Sequence, residues 1–162
     1  AWLAAERVFG HKPSALGLAS GIVSGLVAVT PAAGNAGPMG AILLGAVTAV
    51  GCYIAVAIIR PRLRYDDSLD AFGIHGVGGI MGAIGTAIVY APSLGGPGPA
   101  DYDMLAKLGV QVAAVATTIV WSTIGTLIAL AVAKAVTGLR VATEAEREGL
   151  DLAEHGERAY NL

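Results

Sequence analysis

Charged residues are absent from long stretches of this 162-residue chain, in which only 14% of all residues carry charge. None occurs from Pro13 to Ile59, and none occurs from Leu108 to Ala133. Each stretch is longer than the roughly 20 apolar residues that cross the hydrocarbon core of a bilayer. An amphipathic helix of a soluble domain would show a polar face over such lengths. The sequence therefore predicts an all-α fold, a polytopic transmembrane helix bundle.

Reactive and metal-binding patterns are equally scarce. Cys52 is the only cysteine, which excludes an intrachain disulfide and favours a packing role. The three histidines are not spaced like metal ligands, and the apolar runs offer neither paired carboxylates nor a nucleophile beside a base. The net charge of -2 and the lack of a basic cluster give no indication of nucleic acid. We expect no enzyme activity, no metal and no cofactor.

Proline, glycine and arginine divide the chain into spans. Pro31–Pro38, with two prolines and two glycines, breaks the first apolar run, and Pro13 suits the first turn of a helix. We predict four full transmembrane helices at about 13–30, 38–60, 68–90 and 104–136. Residues 1–12 are expected to be the end of a truncated transmembrane helix and a cytoplasmic connection, and 139–162 a cytoplasmic C-terminal tail.

Arginine placement predicts the orientation of these spans. Arg60, Arg62 and Arg64 lie within five positions, and loops rich in Lys and Arg stay on the cytoplasmic side. The loop from Ala91 to Asp103 contains neither Lys nor Arg and fits the outer side. The N-terminus has neither an initiating methionine nor the arrangement of a signal peptide, so we expect a fragment that begins inside a longer protein.

One ionisable residue, His75, lies inside a glycine-rich apolar run that has no Asp, Glu, Lys or Arg between Asp70 and Asp101. Ionisable groups inside a membrane are costly and are usually paired or placed on a substrate or proton pathway. A neutral histidine that only donates one interhelical hydrogen bond is the alternative, and helical spacing alone leaves both open. At 3.6 residues per turn, one face of this helix carries mainly small residues: Ala71, His75, Gly78, Gly79, Gly82 and Thr86.

Helix ends and helix packing account for the other residues of note. Asp67 and Ser68 are candidate N-cap residues for the His75 helix, and Asp70 is expected in its first turn, near the positive end of the helix dipole. Small residues allow membrane helices to approach closely. We assign such helix packing to six glycines: Gly17, Gly21, Gly25, Gly78, Gly79 and Gly82.

Three motifs, in order, resemble the C-terminal part of ammonium transporters of the Amt family, bacterial type. They are KPSALGLASGIVSGLVAVTPAAGNAGPMGAI, then FGIHGVGGIMGAIGT after DDSLD, and finally GLRVATEAEREGLDLAEHGERAY. The resemblance implies a fold of eleven membrane helices, assembled as a homotrimer in which each subunit has its own pore. This chain would then hold the end of helix seven, helices eight to eleven and the cytoplasmic tail.

The resemblance also implies a function. Members of this family recruit ammonium outside, remove a proton and pass ammonia through a hydrophobic pore lined by two hydrogen-bonded histidines. His75 matches the second histidine, Ala71 an apolar pore-lining position and Thr30 a hydroxyl position near the pore. The first histidine, the aromatic gate and the cation-recognition groups belong to helices absent from this sequence.

The implied surroundings are a lipid bilayer, the cell inner (plasma) membrane, with a cytoplasmic C-terminus. The tail resembles a regulatory segment that in bacteria takes part in control by PII-type signalling proteins. Two alternatives share the fold: a neutral gas or small-solute channel of the Rhesus type, and an ammonium sensor that reports through its tail.

Because the expected pore is built from two parts, the isolated chain should not conduct. We expect no ammonium-dependent current when the 162-residue chain is reconstituted into vesicles, measured on a solid-supported membrane beside the full-length parent. A clear substrate-specific current from the isolated chain would contradict the two-part pore.

Overall fold

The computed structural model describes residues 1–158, which contain helices and no strand, and the all-α prediction is confirmed. The chain forms two compact units, Ala1–Thr117 and the part from Thr118 onward, and the longest helix passes from one into the other. The helices are α1 (Trp2–Val8), α2 (Ala15–Val29), α3 (Pro38–Leu63), α4 (Phe72–Val89), α5 (Met104–Val136), α6 (Thr143–Glu148) and α7 (Leu150–His155). The last four positions of the predicted tail, 159–162, lie outside the described residues.

Three helices are long and apolar enough to cross a membrane: α3 with 26 residues, α4 with 18 and α5 with 33. The fourth predicted span is shorter than expected, because α2 has 15 residues. At 1.5 Å per residue α2 is about 22 Å long, less than a hydrocarbon core of about 30 Å. The helix lies inside the predicted interval of about 13–30, starting two residues later and ending one residue earlier.

The start of α2 explains part of this difference. Ser14 is the N-cap, and its hydroxyl accepts a hydrogen bond from Gly17 N at 2.8 Å. Pro13 therefore precedes the cap and is not in the first helical turn. The carboxylate of Glu6, which is buried, accepts bonds from Ser14 N and Ser14 Oγ, both at 3.0 Å. This pair joins α1 to the N-cap of α2.

In the first unit, α2, α3 and α4 pack against one another around small buried clusters. One cluster contains Trp2, whose ring meets the edge of Tyr53 with centroids 5.5 Å apart. The other joins Ala28 and Ala32 of the α2 end to Leu44 of α3. Both α3 and α4 contain a π-helical segment, Ala55–Ile59 and Phe72–Gly76, and these two segments contact each other.

Glycines set how closely these helices approach. A Cβ on Gly82 would meet the backbone of Ala28, with its Cα at 3.0 Å, so α4 and α2 touch through their main chains. Cβ atoms on Gly17 and Gly21 would collide with Glu6 and with Trp2.

Two of the six assigned glycines have open space beside them. A Cβ would meet nothing within 4 Å at Gly25 or at Gly79. Gly25 still has a neighbour, because a Cβ on Gly45 of α3 would lie 3.6 Å from its Cα. Gly79 is half-buried, and the described residues leave the space beside its Cα open.

In the second unit, the short helices α6 and α7 are joined at Gly149. Its φ of +103° is a conformation that residues with a side chain rarely adopt, so a glycine suits this junction. The Arg140 guanidinium donates two hydrogen bonds to Glu146 Oε1, at 2.9 and 2.7 Å.

The close approach at Gly82 makes a paired prediction. Gly82→Ala should lower the free energy of unfolding of the chain in detergent by about 1–3 kcal/mol, because the new methyl group overpacks against backbone. Gly79→Ala, the matched control, should be neutral or stabilising by up to about 1 kcal/mol, since alanine is the better helix former. Titration with a denaturing detergent measures both. Equal effects of the two substitutions would contradict the packing.

Candidate functional site

His75 lies in the π-helical segment Phe72–Gly76 that begins α4. Its side chain is exposed, and no hydrogen bond or ion pair to it occurs within the described part of the chain. A π-helical turn in an otherwise α-helical span is rare and often marks a functional site. His75, the histidine predicted to be functional, therefore lies in the π-helical part of its span.

The π segment divides the small-residue face that helical spacing predicts. Gly78, Gly82 and Thr86 are buried, whereas Ala71 and His75 are exposed. A π turn takes up one residue more than an α turn, which rotates the following residues by about 100° relative to those before it. The prediction of one continuous face is therefore wrong, because it assumed a uniform period of 3.6 residues.

The two resulting sides of α4 have different surroundings. On the buried side, a Cβ on Gly78 would lie 3.1 Å from Val27 Cγ1 and 3.3 Å from Cys52 Sγ. On the other side, His75 lies one turn after Ala71 and four residues before Gly79, which has open space beside it. The imidazole therefore stands on an uncovered strip of small residues.

Thr30 lies at a different position along the helix axes from His75. It is the C-cap of α2, is exposed, and its Oγ1 donates to Leu26 O at 2.7 Å. Ala28, two residues earlier, contacts Gly82, which lies seven residues after His75 along α4. At 1.5 Å per residue, this contact is about 10 Å further along the helix than His75. No hydrogen bond joins Thr30 and His75 among the described residues.

The N-terminus of α4 is capped from a distance by Asp67. Its Oδ2 accepts a hydrogen bond from Gly73 N at 2.8 Å and its Oδ1 one from Phe72 N at 3.1 Å. The Gly73 N–H is the main reason that the pKa of Asp67 lies below its ordinary value, and the Phe72 N–H and the Arg60 charge act in the same direction. The carboxylate fixes the first turn of the segment that carries His75.

Asp70 and Ser68 differ from their predicted roles. The helix begins later than residue 68, and Asp70 lies before it with a φ of +56°, so it is not in the first turn. Its carboxylate pairs with Arg60, whose Nη1 also donates to Asp67 O at 2.8 Å. Ser68 makes no capping hydrogen bond within residues 1–158. Arg60 therefore links the Asp70 carboxylate to the backbone of Asp67.

Two features near this segment were not singled out from the sequence as functional. A cavity of about 350 Å³ is lined by Glu6, His11, Tyr53 and Asp70 among others, and His11 Nδ1 lies 3.1 Å from Tyr53 Oη. Cys52, interpreted from the sequence as packing, contacts the backbone of the π segment. Residue spacing could not reveal either feature, because the residues involved come from different helices. Residues 1–158 contain no group of three or more His, Cys, Asp or Glu side chains placed to bind a metal.

The apolar spans and the histidine on α4 define an integral membrane protein of the α-helical type. The sequence model of the Ammonium Transporter Family matches residues 1–160, and the chain belongs to that family. It is 47% identical to an ammonium transporter of Aquifex aeolicus (strain VF5), covering 100% of this chain and 38% of that protein. An ammonium transporter of Bacillus subtilis (strain 168) is 38% identical, with 98% of this chain and 40% of that protein covered.

Two solved structures have a helical arrangement similar to that of this chain. The crystal structure of Saccharomyces cerevisiae Mep2 superposes with a TM-score of 0.74 at 34% identity, covering 88% of this chain and 34% of that one. A mutant of Mep2 from Candida albicans gives a TM-score of 0.74 at 27% identity, over 99% of this chain and 38% of that one. The chain thus spans about two fifths of the length of the curated relatives described above.

The Asp67 cap predicts a pH dependence of stability. Because the pKa of Asp67 in the folded chain lies below the ordinary value of 3.8, its ionised form stabilises the fold above that value. This contribution is lost as the pH falls through the lower, folded-state pKa. Asp67→Asn should therefore weaken the acid dependence of the unfolding temperature.

The control is Asp66→Asn, which removes the adjacent, exposed carboxylate. Asp66 makes no hydrogen bond to the start of α4 among the described residues, so this variant should keep the parental acid dependence. Thermal unfolding followed by circular dichroism over a pH series measures both variants. Identical acid profiles for Asp67→Asn and the parent would contradict the cap.

Proposed function

We propose that this chain is part of an ammonium transporter and that His75 lines the path by which ammonia crosses the membrane. Its membership of the Ammonium Transporter Family supports this, as do relatives that carry the name ammonium transporter. These relatives are transporters, which favours transport over an enzymatic role for the parent protein.

The observation that carries the proposal is the position of His75. An ionisable ring near the start of a membrane span is exposed beside Ala71 and Gly79, and it has no partner among the described residues. A polar group cannot face lipid at such a depth without cost, so the strip is expected to face protein or a narrow cavity. The helices of the parent protein that this chain lacks are the natural cover.

The chemistry of imidazole suits this position. A neutral histidine offers one hydrogen-bond donor and one acceptor, and its ordinary pKa is close to physiological pH. A second histidine from the missing part of the protein would accept or donate the shared hydrogen bond. Such a pair gives ammonia a polar contact in an otherwise apolar passage and offers a route for the proton removed from ammonium.

The same proposal extends to the surroundings of the chain. Arg60, Arg62 and Arg64 follow a span closely, which supports a cytoplasmic position for that linker and, after two further spans, for the C-terminus. We assign the parent protein to the cell inner (plasma) membrane as a homotrimer. A PII-type signalling protein is the proposed partner of its cytoplasmic side.

The test is uptake of labelled methylammonium by the full-length parent, with current recorded on a solid-supported membrane. His75→Ala should reduce uptake about ten-fold or more, because a polar relay group is removed from the passage. His155→Ala is the matched control, since His155 is an exposed residue of α7 outside the spans, and it should transport like the parent.

The possible results separate the alternatives. Equal uptake by the parent and a folded His75→Ala variant would contradict the role of His75. Uptake without current would favour a neutral gas channel of the Rhesus type. Ammonium binding without uptake would favour a sensor.

A further inference from the structure

The thiol of Cys52 contacts α4 on both sides of His75. Cys52 lies on α3 and is fully buried, with 0% of its surface exposed. Its Sγ lies 3.6 Å from the carbonyl oxygen of Ile74, the residue before His75. A Cβ on Gly78 would lie 3.3 Å from the same sulfur, so the thiol also fits against the helix three residues after His75. The sulfur therefore lies behind the histidine, on the buried side of α4.

The backbone hydrogen bonds at this point depart from the regular helical pattern. Val77 N–H reaches two carbonyl oxygens, those of Phe72 and Ile74, at the junction of the π segment with the regular helix. Ile74 is buried, and its carbonyl oxygen has two lone pairs, so it can accept a second hydrogen bond besides the one from Val77 N. The Cys52 thiol is a donor for it, supplied by a neighbouring helix.

We propose that Cys52 is a positioning residue: its S–H donates to the Ile74 carbonyl, stabilises the π turn and so fixes the direction in which His75 points. The Asp67 carboxylate accepts hydrogen bonds from Phe72 N and Gly73 N at the start of the same segment. Cys52 contacts the carbonyl of Ile74 in its middle. The effect on transport rests on the proposed function of His75. The effect on the histidine's geometry does not.

The physical consequence follows from helix geometry. Without the thiol, the π segment can relax toward a regular α-helix, because the Ile74 carbonyl keeps the bond from Val77 N but loses its donor from α3. Relaxation would rotate His75 relative to the buried residues Gly78 and Gly82 by part of the roughly 100° that one added residue introduces, because His75 lies inside the π segment. The ring would then leave the uncovered strip beside Ala71 and Gly79 and point toward packed helix.

Three variants of the full-length parent separate positioning from packing. Cys52→Ser keeps a donor of similar size, and Cys52→Ala removes it. Thr48→Ala is the matched control: Thr48 is on α3 one turn earlier, is equally buried, and its hydroxyl has no hydrogen-bond partner among the described residues. Thr48→Ala removes buried atoms from the same helix, one turn away from the contact between Cys52 and Ile74.

We expect Cys52→Ala to lower the maximal rate of methylammonium uptake about three-fold, the scale of one modest hydrogen bond, and to shift the pH profile of uptake. The KM should change little, because Cys52 acts through His75 and not on the substrate. Cys52→Ser should restore both the rate and the profile. Thr48→Ala should lower thermal stability alone.

Two spectroscopic measurements test the geometry independently of transport. The S–H stretching band of Cys52, isolated as the difference between the parent and Cys52→Ser, should appear at the lowered frequency of a hydrogen-bonded thiol. The ring nitrogen resonances of His75, assigned by their loss in His75→Ala, should shift in Cys52→Ala and return in Cys52→Ser. These measurements remain decisive if the parent fails to transport, a result that would refute only the proposed function.

The proposal is overturned by any of three results. The first is an S–H band at the frequency of a free thiol. The second is a set of His75 resonances in Cys52→Ala that equals that of the parent. The third is a folded Cys52→Ser variant that behaves like Cys52→Ala, which would assign the effect to packing around the sulfur and not to its hydrogen bond.

Discussion

The close contact between the backbones of α2 and α4 is the constraint on which the first unit depends. At Gly82 the main chain of α4 touches that of Ala28, and no side chain fits between them. Without a hydrophobic driving force inside lipid, helices associate through such van der Waals contact and through hydrogen bonds. The contact places the side of α4 that carries Gly82 in the interior of the bundle. It also determines which side of α4 remains free for the rest of the protein.

The π segment then determines what that free side presents. A regular helix would place His75 nearly in line with Gly82, toward the packed side. The wider turn at Phe72–Gly76 shifts the ring to the uncovered strip. Polar groups surround this turn: the Asp67 carboxylate at its start, the Cys52 thiol behind it, and Arg60 holding the linker that leads into it. The position of one imidazole therefore depends on residues from the linker and from α3.

The chain, a member of the Ammonium Transporter Family, spans about two fifths of the length of its relatives. The strip of Ala71, His75 and Gly79 is one surface that the described residues leave open. The long helix α5, which has no buried residue, is a second uncovered surface. Both surfaces are apolar and helical, as expected of elements that other membrane helices or lipid will contact.

The sequence by itself determined the helical class, the apolar spans and His75 as the residue of interest, because charge-free length and an isolated ionisable group are local properties of the chain. It did not determine the true start of α4, the pairing of Asp70 with Arg60 or the contact of Cys52 with Ile74. It also assigned one face to His75 and Gly82, which the structure separates. Only the tertiary structure decided these points, because a π turn changes the helical phase and is stabilised by groups distant in sequence, which a fixed period of 3.6 residues cannot represent.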